Sequence, residues 1–152
     1  MNPMQFVLTP AARSTALNVV GTKVTVLVSD ANSKSHQITL QSGDEGTGPP
    51  PHSHDWDESF YVLKGTVEFT CSGKNEVCAP GTLVHIPAGT VHSFRYGSDG
   101  GEMLEFTGQG GFATKMFTAV SETMPPGVPK TDDVPKLLDV LKQNGVTVSD
   151  LP

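Results

Sequence analysis

The stretch from Gly46 to Gly65 places two imidazoles and a carboxylate close together, in a chain with only 5 histidines. His52 and His54 are one residue apart, and Glu58 follows four positions after His54. Side chains at even spacing on an extended strand project from the same face, so all three point the same way unless the intervening Asp-Trp-Asp contains a bend. Imidazole and carboxylate groups bind first-row transition metals, so the pattern predicts a metal site that lacks one or two ligands.

The missing ligand has to come from elsewhere in the chain. His92 lies in GTLVHIPAGTVHSFRY, on a predicted strand that is entered through a Pro-x-Gly turn. His85 and His36 are the other candidates, and His85 alternates with Val84 and Ile86, which places it on the opposite face from those core residues. A single histidine is usually a surface residue or a hydrogen-bonded one, so we expect both to stay outside the site.

The segments that must position these residues read as short strands from Gln5 to about Thr107. KVTVLVS, HQITLQS and TVHSFRY alternate in polarity, and turn signals such as Ala-Pro-Gly and Pro-Ala-Gly separate the segments. Many short strands at close intervals predict an all-β fold, either an antiparallel sandwich or a barrel.

After Gly110 the spacing of apolar residues becomes helical. GGFATKMFTAVSE predicts one short helix, and TDDVPKLLDVLKQNG predicts a second one with Gly145 at its C′ position. We expect one or two helices at about 111–145, packed on the outside of a β-core at about 36–107. The length predicts a single domain over residues 1–152.

Composition excludes several classes of partner. The formal net charge is −6 and the 10 Lys and Arg residues form no cluster, which argues against a nucleic-acid partner. No apolar run approaches the roughly 20 residues of a membrane span, and the N-terminal residues lack the pattern of a secretory signal. We therefore expect a cytoplasmic protein without a membrane partner.

Two cysteines lie in CSGKNEVC. A two-residue turn at Lys74-Asn75 would place Cys71 opposite Cys78 on a hairpin, where a disulfide is geometrically conceivable. In a reducing compartment such pairs stay reduced, so we predict two free thiols.

The chain contains two motifs, one with His52, His54 and Glu58 and one with His92 after its Pro-x-Gly turn. They resemble the two motifs of the cupin superfamily. The last position of the second motif is usually Asn in that family and is Tyr96 here, which puts a phenol in place of an amide. The resemblance implies a small antiparallel jelly-roll β-barrel that binds a metal through two histidines and a glutamate of the first motif and a histidine of the second. The matching positions are Gly46, His52, His54, Glu58 and Gly65 in the first motif, and Gly81, Pro87, Gly89 and His92 in the second.

The helical C-terminal segment is also similar to that of quercetinase-like cupin dioxygenases. This second likeness implies dioxygen as a co-substrate. Mixed imidazole and carboxylate ligands accept one divalent transition metal ion, which can be Mn, Fe, Co, Ni, Cu or Zn. The cupin resemblance implies a homodimer. Its implied substrate is a small molecule, aromatic or polyketide-like, with an enol oxygen that the metal would acidify.

Three functions follow from such a site: an oxygen-dependent dioxygenase, which we expect, a non-redox cyclase or isomerase, and a binding protein without turnover. Glu58 either remains a ligand or acts as a general base, and Tyr96 is a candidate acid or base. The expected substrate pocket is apolar, which suits a flat aromatic molecule. Its predicted wall consists of Phe60, Val62, Phe94, Tyr96, Met103 and Phe106.

Overall fold

The structure is a computed structural model that describes residues 4–149. Within that range the chain forms nine strands, two α-helices and two short 3-10 turns at Pro10–Ala12 and Thr131–Asp133. The strands are β1 (Leu17–Val19), β2 (Thr22–Val28), β3 (Gln37–Gly43), β4 (His52–His54), β5 (Glu58–Cys71), β6 (Lys74–Cys78), β7 (Leu83–Ile86), β8 (His92–Thr107) and β9 (Val146–Val148). The helices are α1 (Ala113–Thr123) and α2 (Val134–Gln143).

All strand pairs are antiparallel and form one curled sheet, the jelly-roll arrangement that the sequence predicts. The hydrogen-bonded order is β1-β2-β3-β8-β4-β9, and β5 pairs with β6, β7 and β8. The long strand β8 joins the two sides, because it pairs with β3, β4 and β5. The strand-like pattern predicted from Gln5 begins only at Leu17.

Alternation of side chains along β5 and β8 builds the barrel core. Phe60 and Val62 are buried on β5, and the buried parity changes across Gly65 to Val67 and Phe69 because the register with β8 shifts there. Gly65 has φ 65°, and a Cβ at this position would lie 2.1 Å from the carbonyl oxygen of Gly100. Only glycine allows the two strands to approach so closely at this bulge.

The hairpin that carries the cysteines differs from its predicted register. Ser72 and Gly73 form the turn with φ angles of 48° and 80°, as in a type I′ turn, so the predicted turn at Lys74-Asn75 is wrong. Cys71 consequently pairs with Lys74 and not with Cys78. Both cysteines are free thiols, as predicted.

The helices pack against the outer strands through a second apolar cluster. Val19 of β1 and Val24 of β2 meet α1 and α2 there, and this cluster shares no buried residue with the barrel core. Gly145, at φ 78°, occupies the C′ position predicted for α2. Within residues 4–149, neither helix has the length and apolar character needed to cross a membrane.

Strand β9 was not predicted. It follows α2 and pairs with β4, with Val148 opposite His52 and Val146 opposite His54. We refer to α1, α2 and β9, with their connections (residues 113–148), as the helical cap.

Candidate metal centre and its cavity

Four side chains of the predicted site converge. One ligand atom from each of His52, His54, Glu58 and His92 can be chosen so that all four atoms lie within 4.8 Å of one another. His54, Glu58 and His92 are buried, and His52 is partly exposed. A single metal ion with bonds of about 2.1 Å can contact donors spaced in this way.

Short strands bring these residues together from distant parts of the sequence. His52 and His54 share one face of β4, and His92 opens β8 directly opposite His52. The Pro-x-Gly turn before β8 is attached to β4, because the amide of Gly89 donates a hydrogen bond to the carbonyl of His54. Glu58 opens β5 after a bend at residues 55–56, which is the interruption that the sequence left open, and the carboxylate still reaches the histidines.

Backbone carbonyls fix the tautomer of each histidine. The Nδ1 atoms of His52, His54 and His92 lie 2.8, 3.0 and 2.8 Å from the carbonyl oxygens of Pro50, Trp56 and Thr90, respectively. A carbonyl oxygen only accepts hydrogen bonds, so each Nδ1 carries a proton and donates it. In the neutral imidazoles the lone pair is therefore on Nε2, which is the arrangement of a metal-bound histidine with a hydrogen-bonded outer nitrogen.

The donor set fits a bound cation. Glu58 Oε1 lies 3.1 Å from His54 Nε2 and 2.5 Å from His92 Nε2. The Nε2 atom of His92 is buried and has no correctly oriented hydrogen-bond partner among the described residues. Lone pairs of neutral imidazoles and a carboxylate that face one another repel, and a divalent ion between them satisfies all of these atoms.

Ionisation in the cluster also follows from burial and charge. Burial, with the neighbouring His92, lowers the pKa of His52 from 6.5 to about 4. Burial alone would raise the pKa of Glu58, but its contacts with His54 and His92 outweigh burial and lower the pKa to about 2 when a proton, rather than a metal ion, lies between these groups. Burial opposes protonation of His92, but its contact with Glu58 raises its pKa overall. Glu58 is therefore an anion and His52 a neutral donor at neutral pH.

The ring of Trp56 stacks on the His54 ligand. The two ring centroids lie 4.1 Å apart and the ring planes differ by 5°. Trp56 thus holds His54 twice, through its ring and through the carbonyl that accepts from Nδ1. It is the only tryptophan in the chain.

A cavity of about 80 Å³ adjoins the cluster, which is room for several water molecules. His52, His54 and Glu58 form part of its wall, and the helical cap contributes apolar side chains to the rest. The cap residues that line it include Ala113, Met116, Phe117, Val120, Leu137, Leu141, Val146 and Val148.

Comparison with known proteins gives the family. Residues 38–106 match the family model described as Cupin domain. This segment forms a cupin domain. It coincides closely with the β-core predicted at about 36–107, and it contains all four residues of the cluster.

Two relatives match this chain by sequence over part of their length. Quercetin 2,3-dioxygenase of Bacillus subtilis (strain 168) is 37% identical over 78 residues, which are 51% of this chain and 23% of the relative. An uncharacterised protein of Streptomyces coelicolor is 29% identical over 66 residues, 43% of this chain and 63% of the relative. The chain thus spans less than two thirds of either relative.

Solved structures share the cupin fold at lower identity. The polyketide cyclase RemF from Streptomyces resistomycificus superposes with a TM-score of 0.61 and 21% identity, covering 69% of this chain and 80% of RemF. An RmlC-like cupin from Shewanella frigidimarina superposes with a TM-score of 0.63 and 17% identity, covering 71% of this chain and 94% of that protein.

The predicted pocket residues divide into three groups. Phe60 and Phe94 line the cavity. Val62, Tyr96 and Met103 lie in the packed barrel core, away from the cavity wall. Phe106 is half-buried and alternates with the inward residues Glu105 and Thr107, so it lies on the other face of β8.

Tyr96, a predicted acid or base, is enclosed by the core of the cupin barrel. Its hydroxyl is buried without a hydrogen-bond partner among the described residues, and burial raises its pKa far above the ordinary value. The two remaining histidines stay outside the cluster, as expected: His36 and His85 are exposed and hydrogen-bond to Ser35 and Ser59.

Three polar cavity residues were not predicted from the sequence. Thr22, Gln41 and Glu105 are buried and line the same cavity as the metal cluster. Glu105 was overlooked because its neighbours Leu104 and Phe106 are apolar, so the rule that apolar residues face inward selects the wrong face. The parity that Glu105 shares with Met103 and Thr107 is the signal that could have identified it.

Proposed function

We propose that the protein is a metal-dependent dioxygenase that cleaves a small aromatic molecule bearing an enol oxygen. The observation that carries this proposal is the convergence of three Nε2 atoms and one carboxylate at the wall of an otherwise largely apolar cavity. The 37% identity with a segment of the Bacillus quercetin dioxygenase supports the choice of chemistry.

Each residue of the site has a proposed role. His52, His54, Glu58 and His92 would hold one divalent transition metal ion, which when bound would supply a Lewis acid for the enol oxygen and a site of oxygen chemistry. Glu58 acts as a ligand in this scheme, because a carboxylate with a pKa of about 2 is a weak base at neutral pH. Phe60, Phe94 and Trp56 provide an apolar wall against which an aromatic ring can pack.

The helical cap controls access in this proposal. The cavity holds only a few water molecules, so an aromatic substrate requires part of its wall to move outward, and the cap forms much of that wall. Once the cap closes again, its apolar side chains exclude water from the reacting atoms.

Oxygen dependence tests the proposal directly. Metal-loaded protein is incubated with a flavonol such as quercetin, and oxygen uptake and flavonol loss are followed together. We expect equal molar consumption of oxygen and flavonol, and no flavonol loss under anaerobic conditions. Flavonol conversion without oxygen would exclude the dioxygenase, and tight binding with no conversion would favour a binding protein.

A non-redox cyclase or isomerase is the second candidate, and Glu105 favours it. Burial and the charge of Glu58 raise the pKa of Glu105 well above its ordinary range, which favours the neutral carboxylic acid form at the cavity wall. Such a group can donate a proton without any oxidant. Turnover of an enolic polyketide that is equally fast with zinc and without oxygen would establish this alternative.

A further inference from the structure

The cavity has a second polar wall that the metal cluster does not use. Thr22, Gln41 and Glu105, which we call the polar row, all line the cavity and are 4%, 2% and 4% exposed. They come from β2, β3 and β8, and the residues around them in the cavity are mostly apolar.

The register of the sheet places the polar row in a diagonal line that begins at the metal cluster. Glu58 lies opposite Thr107, two residues from Glu105. Glu105 in turn lies opposite Thr39, two residues from Gln41. Diagonal neighbours of this kind are separated by about 7 Å. A ligand along the cavity wall can therefore contact the metal cluster and the row at once.

The last member of the row extends the line by one strand. Gln41 lies opposite Val24, two residues from Thr22. The hydroxyl of Thr22 is buried and has no hydrogen-bond partner among the residues that the structure describes. A buried hydroxyl without a partner carries a desolvation cost that a bound polar group would remove.

Hydrogen bonds hold the carboxyl of Glu105 in place. Gln41 Nε2 donates to its Oε2 at 2.8 Å, while the hydroxyls of Thr107 and Thr39 lie 3.3 and 3.4 Å from its Oε1. Gln41 Nε2 also lies 3.2 Å from the hydroxyl of Thr39. Gln41 and Glu105 are thus held in place by hydrogen bonds, as expected of a recognition site that is organised before its ligand binds.

The charges of the cavity wall narrow the class of ligand. The described residues that line the cavity include two carboxyl groups, those of Glu58 and Glu105, and no Lys or Arg. An anionic group of the ligand would meet carboxyls without any compensating cation. A neutral Glu105 carboxyl, by contrast, can donate a hydrogen bond to an uncharged oxygen.

We propose that the polar row is a second recognition site, which binds a hydroxyl or carbonyl oxygen of an uncharged ligand whose other end lies at the metal cluster. The placement of the enol end rests on the proposed function. The row adds a requirement for a further oxygen on the ligand, and it disfavours ligands with a sulfate, phosphate or carboxylate at that position.

Anaerobic calorimetry on the zinc-loaded full chain tests the row without turnover. The probes are 3-hydroxyflavone, which has the enol group and no other hydroxyl, kaempferol, which has further hydroxyls, and a sulfated kaempferol. We expect kaempferol to bind about tenfold more tightly than 3-hydroxyflavone, as one additional buried hydrogen bond gives. The sulfated compound should bind more weakly than kaempferol.

Variants identify the residues responsible. Thr22→Val removes a hydroxyl to which the described residues offer no hydrogen-bond partner, so it should leave thermal stability unchanged. It should lower the affinity for kaempferol severalfold, with little effect on 3-hydroxyflavone. Thr25→Val is the matched control, because Thr25 lies on the other face of the same strand. Glu105→Leu should abolish the preference for kaempferol, and Glu105→Gln, which keeps a hydrogen-bonding group, should retain most of it.

The outcomes separate this proposal from the proposed activity. Equal affinity for the two flavonols in the wild type, or an equal loss for both in Thr22→Val and Glu105→Leu, would overturn the polar row even if oxygen is consumed. A protein that discriminates between the flavonols through these residues but never consumes oxygen retains the row and loses the dioxygenase. Binding of neither flavonol would overturn both.

Discussion

At the scale of single residues, the orientation of the proposed ligands is set locally. Each of the three imidazoles donates from Nδ1 to a carbonyl only two residues away in the sequence, those of Pro50, Trp56 and Thr90. Because these partners are backbone atoms, substitution of neighbouring side chains leaves them in place. The ligand side chains, by contrast, are removed directly by substitution.

Removing one ligand should therefore reduce bound metal while the barrel remains folded. We expect His92→Ala and Glu58→Gln each to lower metal affinity at least tenfold. Deleting only the outer hydrogen-bond partner of a metal ligand already lowers affinity by about tenfold or more, so removing the ligand itself should cost at least as much. Elemental analysis of protein purified without chelator measures this, with circular dichroism to check the fold. His85→Ala, which changes an exposed histidine, should bind metal normally. Near-stoichiometric metal in both ligand variants would contradict the site.

Acid should destabilise the metal-free protein through Glu58. Its pKa is about 2 in the fold against 4.5 in the unfolded chain, so the unfolded state binds more protons between these values and stability falls as pH drops from 4.5 towards 2. His52, at about 4 against 6.5, removes stability as pH drops from 6.5 to 4. His92 has the opposite sign: its raised pKa stabilises the fold below 6.5.

The comparison of Glu58→Gln with the wild type isolates the contribution of the carboxylate. Denaturant unfolding at pH 4.5 and pH 3, with chelator present, should show a larger loss of unfolding free energy in the wild type, because Gln does not titrate. That contribution includes the coupling of Glu58 to His52, His92 and Glu105, because Glu58 acts on the pKa of each of these groups. Equal losses would mean that Glu58 is not stabilised as an anion in the fold.

Trp56 should report metal binding optically. Its ring stacks on His54 at 4.1 Å and it is the only tryptophan in the chain, so a paramagnetic ion such as Cu²⁺ at the cluster should quench most of its emission. We expect titration to saturate at one equivalent. In His92→Ala, which keeps the stack, saturation should require at least tenfold more metal; quenching with unchanged affinity would indicate a different binding site.

At the scale of elements, the sequence predicts those with a long enough pattern. Alternation, helical spacing and turn chemistry correctly indicate the positions of four strands, both helices and the C′ glycine. The four strands are β2, β3, β5 and β8. Strand β9 has three residues, too few to show a period, and its pairing with β4 depends on how the cap folds back. The observed turn at Ser72-Gly73 lies two residues before the predicted one at Lys74-Asn75. The polarity pattern alone does not distinguish these two positions.

The candidate site shows the same division between what was predicted and what was not. Its histidines and Glu58 have a distinctive spacing, which is why their convergence could be predicted. Gln41 and Glu105 face a functional cavity, where polar residues replace the apolar ones that strand patterns assume. Positions of this kind are found from tertiary structure.

Strand β9 should influence the metal although it contains no ligand. The amide of Ser149 donates to the carbonyl of Pro51, so in the antiparallel alternation Thr147 and Ser53 form the next hydrogen-bonded pair. Thr147→Pro removes that donor and loosens β4, which should lower metal affinity severalfold. Thr147→Val, which keeps the amide, should bind metal like the wild type, as the fluorescence titration can show.

At the scale of the whole molecule, metal binding should stabilise the fold. The ligands span residues 52–92 and converge only in the folded chain, so the ion binds the native state selectively. Metal at about 100 times its dissociation constant adds about 2.7 kcal/mol. For a chain of this length that raises the melting temperature by about 5–10 °C. Calorimetry with and without chelator measures the shift, and His92→Ala should show little of it.

The homodimer expected from the family resemblance remains a prediction about the whole molecule. Met4, Phe6 and Val7 expose apolar side chains in the segment before β1. Light scattering after gel filtration gives the mass in solution and tests the dimer.

The barrel core and the apolar cluster beneath the helical cap have no buried residue in common. Mutations can therefore accumulate in α1 and α2, and reshape the space offered to a ligand, without disturbing the barrel core. Selection can act separately on the reaction centre and on the choice of molecule admitted to it. Relatives could thus diverge in substrate preference while they retain the same chemistry.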